Sequence, residues 1–168
     1  MKLTICVAVL CLSSYASAQI APAPATLFGL HIGQPAAQVQ AALAGHATFQ
    51  REEERQQIWQ VVDDPAMQYL IIGFDRDRQV RYVTALAKQD GTAMHCAPLG
   101  DQATATKSIS SGAIELRKDL EEAGQDLTII ARGSSPDHLA SCSIKKRGVV
   151  EDPDEAEQEH REQKLKNP

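Results

Sequence analysis

His95 stands beside Cys96, and His138 precedes Cys142 by four residues. Two imidazoles and two thiols are the donor types of a tetrahedral zinc centre. The spacing argues against one, because four residues of strand hold His138 and Cys142 about 13 Å apart. Thiols in a chain that opens with an export signal also oxidise. Cys96 and Cys142 are therefore expected to form a disulfide, and no metal ligand is assigned. Ser135, Asp137 and His138 have the group types of a hydrolytic triad, but they share one turn, whereas a triad converges from separate elements. Neither Ser134 nor Ser135 lies in a Gly-x-Ser-x-Gly elbow. Asp63-Asp64 and Asp152-Pro153-Asp154-Glu155 gather carboxylates without the spacing of a calcium loop. No catalytic or cofactor-binding residue is assigned. Trp59 and Tyr69 form a candidate contact surface, since aromatics concentrate at binding hot spots. In a chain with so few aromatics the competing place for each is the core.

The first eighteen residues, MKLTICVAVLCLSSYASA, join a Lys at position 2, an apolar run from Leu3 to Leu12 and a small-residue close at Ala16-Ser17-Ala18. That is the pattern of a secretory signal peptide, with cleavage expected between Ala18 and Gln19. The apolar run is too short to span a bilayer. Cleavage leaves 150 residues, one domain by size. It also removes Cys6 and Cys11, so an even pair remains, as suits a disulfide in an exported chain. The formal charge moves from −5 to −6. That acidity argues against nucleic acid and against an anionic membrane surface, both of which need basic patches. The expected location is periplasmic or secreted.

These groups must be positioned by the elements around Met67–Lys88, which reads as a β-hairpin. Leu70, Ile72 and Phe74 alternate onto one face, Asp75–Arg78 is a polar reversal, and Val80 to Thr84 suits the return strand. Upstream, residues 19–26 (QIAPAPAT) read as a mobile leader. Phe28, Leu30 and Ile32 alternate as a short strand would. Pro35 to Ala44 reads as an amphipathic helix with Val39 and Leu43 on its apolar side and Gly45 as its stop. Residues 49–62 hold one or two strands around the charged turn Arg51–Arg55, and Asp63-Asp64-Pro65 ends them. Residues 89–111 read as a polar connection, with a helical turn at 101–104. Residues 113–120 fit strand or helix. Strand is preferred because Leu127–Ala131 would pair with it across a Gly-containing break. Leu139–Lys145 is the last strand. A faint repeat is expected, each half giving a short helix or turn, one strand and a hairpin. Residues 148–168 are almost wholly charged or amide beyond Val150 and read as a disordered tail.

Phe28 to Leu43, with its pattern aromatic-Gly-Leu-x-Ile-Gly-Gln-Pro-Ala-x-x-Val-x-x-x-Leu, resembles the opening of small exported α+β modules. These are the β-lactamase inhibitor protein-like domains and the small lipoprotein of the outer-membrane barrel assembly machinery. Gln34 departs from the Met of the common form, and the lipidated Cys is missing. The resemblance implies fold only. The expected architecture is α+β, a short N-terminal helix packed on a mainly antiparallel sheet, over residues 27–147. The expected role is a non-enzymatic module binding a protein or an envelope component. The alternatives are a small hydrolase-like enzyme built from scattered groups such as His31, His46 and Glu115, and a structural envelope protein.

Overall fold

The computed structural model describes residues 24–149 apart from 54, 90, 91 and 123. The expected signal peptide, most of the expected leader and most of the expected tail lie outside these residues. One sheet of eight antiparallel strands dominates: β1 Ala47–Glu53, β2 Gln56–Val61, β3 Met67–Phe74, β4 Val80–Ala87, β5 Thr106–Ser110, β6 Ala113–Glu122, β7 Gln125–Ser135 and β8 His138–Lys146. Their spatial order is β1-β2-β3-β4-β8-β7-β6-β5. Two four-stranded meanders thus meet edge to edge at the β4–β8 pair. Among the described residues the one α-helix, α1 Ala36–Ala42, has seven residues. The expected α+β fold is therefore corrected to a mainly β fold. Gly45, at φ 82°, does follow the helix, and Val39 and Leu43 are fully buried. However, Pro35 is still extended (ψ 137°) and the helix is over by Ala42. Two turns of helix cannot form a layer over eight strands.

The expected hairpin is β3–β4. Leu70, Ile72 and Phe74 are all buried, and Asp75 closes the reversal by accepting from the amides of Asp77 and Gln79. The segment 113–120 is strand, and it pairs with β7 through Leu116↔Ala131 and Leu120↔Leu127. Three sequence expectations change. Residues 27–32 form a tight turn, in which Leu27 and Leu30 bond each other's backbone and Phe28 and Gly29 both take positive φ. The polar connection 89–111 holds a strand, β5, besides two 3-10 turns at Ala97–Leu99 and Gln102–Thr104. Each half carries four strands, one more than the expected repeat.

The core lies on one face of the sheet. Register places Trp59, Leu70, Ala85, Cys142, Ala131 and Leu116 in one row across six strands. Leu27, Leu30, Ile32, Val39, Leu43, Met94 and Leu99 from outside the sheet join that cluster. Cys96 and Cys142 are disulfide-bonded, with Cα atoms 5.4 Å apart. The sequence supplies the room: the cross-strand neighbours of Cys142 are Ala85 and Ala131, and both are small. The bond pins the Met94–Leu99 segment to the centre of the sheet.

Candidate functional site: the open face of the sheet

Side chains alternate across a strand, so every core residue has neighbours aimed at the opposite face. Register assembles them into rows. One runs Ile58, Ile71, Thr84, Ser143, Ile130, Arg117. The next runs Gln60, Tyr69, Leu86, Ser141, Arg132, Glu115. Tyr82 and Ile130 are buried, yet neither belongs to the core cluster. Ile58, Tyr69, Ile71 and Leu86 are half-buried, and they too stand outside that cluster. The sheet thus has two apolar sides: the segments 27–43 and 94–99 cover one, and on the other Tyr82, Thr84, Thr128, Ile130 and Ser143 are buried at the centre, with Ile58, Tyr69, Ile71 and Leu86 half-buried beside them.

Local chemistry divides the open face into three zones. Over β2–β4 lies an apolar zone of Ile58, Ile71, Tyr69 and Leu86. At its border the Tyr82 ring lies flat on Gly73, where a Cβ would come within 2.0 Å of the ring. The Gln56 amide donates to the Tyr82 hydroxyl, and the Arg81 guanidinium covers the ring at 5.4 Å. Over the β4–β8 seam lie hydroxyls, with Thr84 and Ser143 sharing a hydrogen bond of 2.9 Å. Over β6–β7 the face is charged. Arg132 donates to Glu115 at 2.9 Å, Arg117 to Asp119 at 3.2 Å, and Thr128 to Asp119 at 2.7 Å. A hydrogen bond from the Thr128 hydroxyl, opposed by desolvation and aided by the Arg117 guanidinium, holds the Asp119 carboxyl below its usual range. On the other face of the sheet, at its β1 margin, hydrogen bonds from Arg78 and Gln57 lower Glu52.

Trp59 and Tyr69 do not share a surface. Trp59 pairs with Leu70 and Tyr69 with Gln60, one register step apart and therefore on opposite faces. Trp59 is buried, with Phe49 edge-on at 5.2 Å, and its indole donates to Gln57. Only Tyr69 belongs to the open face. The aromatic content alone cannot separate the two, but the strand alternation can.

The scattered ionisable groups stay apart. His31 lines a cleft with Gln79, Glu121 and Gln125, and neither His46 nor Glu115 lines it. His46 pairs with Asp63 at the surface, and Glu115 with Arg132. Ser135 and His138 share a hydrogen bond of 3.2 Å within the β7–β8 turn. Both cysteine sulfurs of the zinc set are consumed by the disulfide. Among the described residues no group of three or more His, Cys, Asp or Glu is placed to hold a metal ion. None of their helices is long and apolar enough to cross a membrane. No family model, curated protein or solved structure matches the chain, so the resemblance of residues 28–43 rests on those residues alone.

Proposed function

We propose that this chain is an exported, periplasmic or secreted, non-enzymatic module that binds a protein or an envelope component through the open face of its sheet. One observation carries this reading: an apolar zone of Ile58, Tyr69, Ile71 and Leu86 stands outside the core, flanked by hydroxyl and charged zones. An apolar patch rimmed by polar groups is the usual anatomy of an interaction surface. The disulfide suits an oxidising compartment, and the residue pattern of 1–18 suits export. The test is affinity capture from envelope extract, with the oxidised chain as bait. Tyr69→Ala and Leu86→Asp should each lose the captured component, while Asp77→Ala, in the exposed β3–β4 turn, keeps it. Equal capture by all three baits would refute the open face as the binding surface.

A further inference from the structure

The two edges of the sheet are built differently. The β1 edge is interrupted by a bulge at Phe49/Arg51 and carries Arg51, Glu52 and Glu53. Bulges and charges are the means by which sheets discourage pairing at an edge. The β5 edge has no bulge and a single charge. Its five residues, Thr-Lys-Ser-Ile-Ser, are all exposed. Its pairing with β6 runs without a register shift from Thr106 to Ser110. It holds one charge, Lys107, and Ile109 is 68 % exposed, the most exposed large hydrophobic side chain among the described residues.

We propose that β5 pairs antiparallel with β5 of a second copy, about a two-fold axis through Ser108 and perpendicular to the sheet. An axis in that direction keeps the covered faces of both copies on the same side. It sets each Lys107 opposite Ile109 of the second copy, so no like charges meet and each lysine stem covers an exposed isoleucine. On the open face it sets Thr106 opposite Ser110 and Ser108 opposite itself, all hydroxyl pairs. The contact is isologous and closes at two copies, because β1, the remaining edge, is blocked. A five-residue edge buries well under ~1,000 Å², so the dimer is weak, with a Kd on the order of 100 µM.

Sedimentation equilibrium of the full oxidised chain tests this. The wild type should show a monomer–dimer equilibrium in that range. Ile109→Lys places two like-charge pairs at the contact and should raise Kd more than tenfold, with melting unchanged because the side chain is exposed. The double variant Lys107→Glu, Ile109→Glu should also be monomeric alone. Mixed one to one with Ile109→Lys, it should form a heterodimer, since every introduced glutamate then faces a lysine. A wild type that stays monomeric to about 1 mM overturns the proposal. So does a dimer that Ile109→Lys leaves intact, or a mixture that fails to pair.

Discussion

At the residue scale, small side chains set what their larger neighbours can do. Gly73 exists as glycine because Tyr82 occupies the space of its Cβ. Gly73→Ala must displace a ring that is buried and held by Gln56. Overpacking of this kind costs roughly 1–3 kcal/mol, and denaturant unfolding should show that loss. The carboxylates give a second expectation. Asp119 has a lowered pKa in the folded chain, so its contribution to stability is present at neutral pH and fades as pH falls through that lowered value. Thr128→Val and Arg117→Gln should each raise the Asp119 pKa, because the hydroxyl and the guanidinium both stabilise the carboxylate. Carboxyl NMR titration of the two variants checks the direction. The disulfide was legible in the cysteine count and in the signal-like pattern of residues 1–18. The alanines that make room for it, Ala85 and Ala131, were not, because nothing in sequence spacing brings residues 85, 131 and 142 into one row.

At the element scale, legibility followed apolar alternation. β3, β4 and β8 are legible in their own residues, whereas 113–120 fits strand or helix and is legible as β6 only through its expected pairing with Leu127–Ala131. β5 was missed because an exposed edge strand needs no apolar period: Thr106–Ser110 has one apolar member. The helix failed in the other direction. Val39 and Leu43 gave a clear apolar side, and the periodicity says where a helix can lie but not how much sheet it covers. The element still plugs the core. Leu43 is fully buried, so Leu43→Ala should cost about 2–5 kcal/mol. Glu53→Ala should cost less than about 0.5 kcal/mol, since its ion pair with Arg51 lies on the surface. Paired melts of the two variants decide whether α1 is an integral part of the core or a surface decoration. The open face was half legible: Tyr69 was singled out, but Ile58, Ile71 and Leu86 join it only once the register of three strands is known.

At the scale of the whole molecule, two meanders share one hydrogen-bonded seam. The disulfide closes a loop within the second meander, from the segment before β5 to β8 itself. Its loop-closure contribution has a ceiling of about 4 kcal/mol. Cys96→Ala with Cys142→Ala should lower the melting temperature and loosen the second meander first. Hydrogen exchange should rise over β6 and β7 before it rises over β2 and β3. Uniform loosening would mean that the seam couples the halves more tightly than the bond does.

The seam also has a meaning in time. β8 is the last strand in the chain, yet it sits in the middle of the sheet, between β4 and β7. A chain delivered from its N-terminus can complete β1–β4 early, since those contacts are local and local contacts form fastest. It must then wait with β4 open on one side. The β5–β7 meander arrives with an open strand of its own. Until residues 138–146 arrive, two unpaired strands of one molecule face outward, and each is a template for the wrong neighbour. The arrival of β8 fills both vacancies at once and brings Cys142 to Cys96, so oxidation of the pair marks the moment at which assembly becomes complete.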